Sequence, residues 1–190
     1  MNAAFAEITP LRRKLRLEDF LLLNDAGVFA EHAKTELIDG EIYYMNSQHR
    51  PHSYAKNRLA RLLDAGLASA APHLTALVEV SVAMPPDSVP EPDIVVTSEP
   101  RGNGPVPLSS VALCVEVADS SVDHDLRTKV AMYSRHGVPE YWVVDLNECR
   151  VVRFSNPQSS GYEQHDEIRF GNELASATIA GLLISTDSLT

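Results

Sequence analysis

Hydrophobic and polar positions along the 190-residue chain change period several times, and the succession predicts helices alternating with strands. The segment LRLEDFLLLND sets Leu17, Phe20 and Leu21 at helical spacing, with Gly27 beyond its end. TELIDGEIYYM carries β-prone residues on both sides of Asp39-Gly40, a two-residue turn signal, and reads as a hairpin. In SQHRPHSYAKNRLARLLDAGLASA a stripe of Ala55, Leu59, Leu62 and Leu63 leaves Arg58 and Arg61 outside it. That is an amphipathic helix, with Pro51 suited to its first turn. LTALVEVSVAM reads as one strand ended by Pro85-Pro86, and DIVVT as a short strand approached through Pro90 and Pro92. VALCVEVA is apolar almost throughout, the pattern of a central strand covered on both faces. A helix from about Asp123 to His136, stopped by Gly137 and Pro139, precedes a second hairpin, EYWVVDL with RVVRFS. Weaker strand signals, YEQHDEIRF among them, continue in the tail. The expected architecture is α/β, a mixed β-sheet flanked by helices with an N-terminal β-hairpin extension. Residues 1–16 read as a loosely held arm and 17–190 as one domain.

Composition narrows the classes without choosing among them. Hydrophobic residues make up 44% and charged residues 22%, as in ordinary globular proteins. No apolar run reaches the roughly 18 to 20 residues that span a bilayer, and the N-terminus lacks the order of a signal peptide. Cys114 and Cys149 have no metal-ligand spacing, and the cytoplasm is the expected location. The formal net charge of −10 argues against coating nucleic acid by bulk electrostatics. It is compatible with a site where clustered carboxylates hold a cation and the cation faces phosphate.

Candidate chemistry concentrates in CVEVADSSVDHDLRTK. Strand alternation puts Cys114, Glu116 and Ala118 on one face. Asp93, placed at the head of the neighbouring strand with Val95, can converge on Glu116. Two carboxylates at close range repel unless a cation lies between them, and oxygen ligands suit Mg2+ or Mn2+. Structural readings stand beside this one: Asp93 as a turn residue after Pro92, and Glu116 paired with Arg127. On the following helix Leu126, Val130 and Tyr133 form an apolar stripe, and Asp125, Lys129 and Met132 the stripe beside it. Lys129 then lies at the border of the buried face, able to lean over the sheet or to pair in solvent with Asp125. His52 could serve proton transfer or phosphate contact from its helix, or be a surface histidine. Glu36 and Glu41 flank the hairpin turn and could face either the site or solvent. The chain has no phosphate-binding glycine loop, nucleophile elbow or zinc-protease motif, and Cys114 reads as core.

These segments together resemble a known family. TELIDGEIYYM, His52 entering a helix, EPDIVV, and CVEVADSSVDHDLRTKVAMYSRHGVPEYWVVD with its following hairpin are similar to the Uma2 family. That family is grouped with the restriction endonuclease-like PD-(D/E)XK nuclease superfamily, and the similarity covers about residues 17 to 185. The resemblance implies that Pro92-Asp93 stands for PD and Glu116 for the second acid. Ala118 departs from the motif's lysine, and Lys129 on the next helix takes that role. It implies further that Asp93 and Glu116, helped by the Val117 carbonyl, hold Mg2+ or Mn2+. Asp93, Glu116 and Lys129 would be catalytic, with His52 and Asp125 accessory. The implied activity is Mg2+-dependent endonucleolytic hydrolysis of DNA, with a homodimer open to it. The alternatives are a catalytically inactive module of the same fold that binds nucleic acid or protein, and a phosphodiesterase acting on RNA or small molecules.

Overall fold

The structure is a computed structural model that describes residues 13–32, 34–45, 47–119 and 121–189. Most of the expected arm lies outside the described residues. What is described of it docks on the hairpin, where the Leu15 N–H donates to the Gly40 carbonyl at 3.0 Å.

Chain order runs α1 (Leu17–Asp25), β1 (Lys34–Ile38), β2 (Glu41–Met45), α2 (Arg50–Ala70), β3 (Thr75–Val78), β4 (Val82–Ala83), β5 (Ile94–Thr97) and β6 (Val106–Pro107). Then come β7 (Val111–Ala118), α3 (Val122–His124), a π-helical turn (Asp125–Lys129) and α4 (Val130–Arg135). β8 (Glu140–Asp145), β9 (Arg150–Gln158), β10 (Gly161–Arg169), β11 (Glu173–Ala175) and β12 (Leu183–Ser185) complete it. Six strands form the main sheet in the order β10-β9-β8-β7-β5-β3, mixed because β7 and β8 run parallel while every other neighbouring pair is antiparallel. The mixed sheet flanked by helices agrees with the sequence reading.

β7 is the central strand, and its alternation sorts the core into two layers. Leu113, Val115 and Val117 pack with Ala55, Leu59, Leu63 and Leu67 of α2. Cys114 and Ala118 face the opposite layer, with Met132 and Tyr133 of α4. Glu116 shares that second face, so a carboxylate points into an otherwise apolar layer. The hairpin turn uses Asp39 and Gly40, both with positive φ (52° and 76°), as the two-residue turn requires. Val89 and Leu37 exchange backbone hydrogen bonds across the hairpin's inner edge, which ties β1 to the approach to β5.

Two elements depart from expectation. LTALVEVSVAM is two strands, β3 and β4, because Glu79 adopts φ 51°, a left-handed conformation that interrupts a pleated run. The helix after β7 spans Val122–Arg135 as α3, the π turn and α4. The wider turn rotates its inner line: Asp125, Lys129 and Tyr133 are buried, while Leu126 and Val130 are only half-buried.

Candidate active site

A cleft of about 810 Å³ opens at the C-terminal end of β7. Asp93 stands one residue before β5, whose first residue pairs with Val115 of β7. The antiparallel register therefore brings Asp93 level with the end of β7, and its Oδ2 accepts the Val117 N–H at 2.8 Å. His52, in the first turn of α2, sets Nε2 3.0 Å from the same oxygen. Gln48 Nε2 donates to Oδ1 at 2.8 Å. Burial pushes the Asp93 carboxyl up, but His52, Lys34 and the Val117 N–H more than offset it and hold the pKa at about 2. Asp93 is thus an anion at neutral pH.

Glu116 lies across the cleft on the α4 side. Its Oε1 accepts from Lys129 Nζ at 2.7 Å and from Tyr133 Oη at 3.1 Å. Lys129 Nζ also reaches Glu36 of β1, at 3.2 Å to Oε1 and 3.1 Å to Oε2. One ammonium therefore stands between two carboxylates, all three buried. The Glu36 carboxyl, also near Lys34 at 3.7 Å and bonded by the Glu91 N–H at 2.8 Å, is lowered against its own burial. Glu116 is raised to about 8 by burial, which Lys129 only partly offsets and which the charges of Asp125 and Asp93 reinforce. Lys129 is raised, because the three surrounding carboxylates outweigh the burial that would discharge it. Lys129 and Lys34 together favour Glu36 as an anion, while burial favours the protonated form of Glu116.

Of the residues expected at the site, Asp93, Glu116, Val117, His52, Asp125 and Lys129 all line this cleft. Several expectations change in detail. Lys129 is 1% exposed rather than at the border of the helix face, because the π turn carries it inward. Its contact with Asp125 at 3.9 Å is a buried one, not a solvated pair. Asp125 also accepts from Ser121 Oγ at 2.5 Å, and burial raises its carboxyl. His52 is buried, not a surface histidine. Glu116 pairs with Lys129 and Tyr133 in place of Arg127, which is exposed. Asp93 is a node of several bonds rather than a turn cap.

Other participants, Glu36, Lys56, Gln48 and Glu79 among them, carry no assigned role in the sequence reading. Glu36 and Glu41 looked equivalent about their turn, yet Glu36 is buried against Lys129 and Glu41 is exposed beside Lys14. Period-2 alternation puts Glu36 on the face of the buried Ile38, and that signal was available. Lys56, one turn after His52, is buried and bonds Glu79 and, at 2.6 Å, Gln48 Oε1. Its placement follows from helix phase, but Gln48 and Glu79 lie in irregular backbone that periodicity does not address.

Oxygen is the only donor element on the two facing acids, and burial, reinforced by the charges of Asp125 and Asp93, raises Glu116. Both properties suit a hard divalent cation, which Mg2+ sites commonly hold with one or two carboxylates plus substrate phosphate. No cluster of three His, Cys, Asp or Glu side chains among the described residues forms a ready cage.

Comparisons with known proteins agree with the fold. The chain superposes on the crystal structure of "a putative nuclease belonging to DUF820" from Anabaena variabilis ATCC 29413 with a TM-score of 0.69. Sequence identity is 17%, and the match covers 92% of this chain and 97% of the other. Among curated proteins there is no match. The pattern of the Uma2 family, described as "Putative restriction endonuclease", matches residues 17–187. With the acids, the helix lysine and the sheet order all falling inside that span, the chain belongs to the Uma2 family.

Proposed function

We propose that the protein is a Mg2+- or Mn2+-dependent nuclease that hydrolyses DNA phosphodiester bonds in the cleft between Asp93 and Lys129. The observation that carries this reading is the convergence of Asp93, Glu116 and Lys129 from a loop, a strand and a helix on one accessible cleft. The family's description as a restriction endonuclease and the neighbour's as a nuclease support it.

In this reading Asp93, Glu116 and the Val117 carbonyl would hold the metal, which would lower the pKa of an attacking water and offset charge gathering on the phosphate. Asp93 is preorganised for that task, since His52 and the Val117 N–H fix Oδ2 while Gln48 fixes Oδ1. An ionised Asp93 can only accept, so His52 carries its hydrogen on Nε2. Lys129 Nζ orients the attacking water or meets the charge developing on the phosphate. Glu36 and Asp125, at 3.1 and 3.9 Å, hold the ammonium in place. Tyr133 Oη steadies Glu116 from below.

Incubation of the purified protein with plasmid and Mg2+ or Mn2+, beside Asp93→Ala and Lys129→Ala, tests the reading. Metal-dependent cleavage lost in both variants is the expected result. Equal cleavage by the variants, or none with any metal, would sink it. Calorimetric titration separates the second reading, an inactive module of the same fold, by the absence of metal binding sensitive to Glu116→Ala. A parallel RNA substrate decides the nucleic-acid preference, and sedimentation decides whether a homodimer forms. No helix among the described residues is long and apolar enough to cross a membrane. The cytoplasm remains the proposed location.

A further inference from the structure

Helix α2 presents an outer face unlike the rest of this acidic chain. Between Arg50 and Leu63 the sequence holds Arg50, His52, Lys56, Arg58 and Arg61 and no Asp or Glu. At about 100° per residue, Arg50, Tyr54, Arg58 and Arg61 fall on one arc. His52, Ala55, Lys56, Leu59 and Leu63 occupy the buried side. All four outer residues are exposed, Tyr54 by 76%.

These arginines are not neutralised as Arg135, Arg150 and Arg153 are, and unlike the scattered Arg101, Arg127 and Arg169 they fall on one helix face. Arg135 pairs with Asp39, Arg150 with Asp145 and Glu167, and Arg153 with Asp166. Among the described residues Arg50 and Arg61 have no carboxylate within ion-pair range, and Arg58 Nε donates to the neutral Ser188 Oγ at 2.6 Å. A line of uncompensated guanidinium groups in a chain of net charge −10 is a local feature. Its first member, Arg50, lies between His49 and His52, which line the cleft at that end of the helix. At about 1.5 Å rise per residue it extends roughly 16 Å from Arg50 to Arg61.

We propose that this face of α2 is the track for a strand of nucleic acid leaving the cleft, with Arg50, Arg58 and Arg61 on phosphates and Tyr54 stacking an unpaired base. Guanidinium forks match phosphate oxygens. A single cationic line with one exposed ring fits a single strand, where backbone attraction and ring stacking act together. A duplex offers the ring no free base face. The assignment of the cleft itself rests on the nuclease reading.

Fluorescence anisotropy with a labelled single-stranded oligonucleotide and its duplex, in EDTA so that cleavage cannot intervene, tests the track. The triple variant R50A/R58A/R61A should lower the slope of log affinity against log salt by about 2 for the single strand, at about 0.7 per phosphate contact. Tyr54→Ala should weaken single-strand binding about 5- to 100-fold with the slope unchanged, and leave duplex binding nearly as it was. All four positions are exposed, so far-ultraviolet circular dichroism of the variants should match wild type. Unchanged affinity and slope in the triple variant would overturn the track even if wild-type protein cleaves plasmid. Displacement of the oligonucleotide by polyglutamate at equal charge concentration would also overturn it and point to an acidic protein. Binding lost in the variants of a protein that cleaves nothing would keep the track and sink the nuclease reading instead.

Discussion

Glu116 and Glu140 lie on the neighbouring parallel strands β7 and β8, both buried, and their surroundings are opposite in kind. Glu140, on the α2 side of the sheet with Trp142, is saturated by neutral donors. Trp142 Nε1 donates at 2.6 Å, Ser176 Oγ at 2.6 Å and Thr178 Oγ1 at 2.8 Å, and the Ala177 and Thr178 N–H groups at 3.0 Å. Both oxygens are engaged, and the carboxylate pins the 176–178 turn to the sheet. Glu116 has two donors, both on Oε1, and one of them is a lysine shared with Glu36. A carboxylate surrounded by fixed neutral dipoles has no valence left for chemistry. One held by a shared cation, in a cleft, is still available to a metal. Burial alone does not mark a candidate functional acid; what distinguishes it is how its lone pairs are spent.

Breaking the shared cation gives the largest expected effect. Lys129→Ala leaves Glu36 and Glu116 buried without their ammonium, at a cost of about 3–5 kcal/mol in denaturant unfolding, and abolishes cleavage. Glu140→Ala strands several buried donors and should cost about 3 kcal/mol, while cleavage per folded molecule, measured well below the new midpoint, stays at the wild-type rate. If Glu140→Ala instead destroys cleavage at full folding, the contrast between the two acids fails.

Glu116→Gln sharpens the comparison through pH. Because the folded pKa of Glu116, about 8, lies above the ordinary 4.5, the folded protein keeps a proton that the unfolded chain has lost in between. Stability from this group is full below about 4.5 and is lost as pH rises towards 8. The melting temperature of wild type without metal should fall across that window, and Glu116→Gln should flatten the fall. Added Mg2+ should raise the melting temperature of wild type more at pH 8 than at pH 6, and not in the Gln variant. Tyr133→Phe removes one neutral donor from Glu116 and should cost only about 1 kcal/mol, the smallest effect of the series.

Much of the site is readable from periodicity. Alternation along β7 and the run before β5 brings Asp93 towards Glu116, and helix phase brings Lys129 within reach of both. What periodicity misses are departures from regular geometry. The π turn that buries Lys129 inserts a wider helical turn, which no 3.6-residue count contains. The left-handed Glu79 breaks a run that reads as one strand and delivers a carboxylate to Lys56. Glu36 depends on where a whole hairpin docks, and its partners Lys129 and Glu91 are far along the chain. The sheet, by contrast, was legible because apolar β7 and its flanking helices obey their periods closely.

Glu36 and Lys129 are separated by 93 positions. A nascent chain therefore holds the buried acid of its hairpin with only the more distant Lys34 beside it, at 3.7 Å, until the helix beyond β7 has emerged and packed. During synthesis the early half stays unfinished in charge as well as in hydrophobic contact, which ties the hairpin's docking to the arrival of that helix. The cleft thus reports on completed assembly: whatever chemistry it performs cannot begin in a half-made molecule.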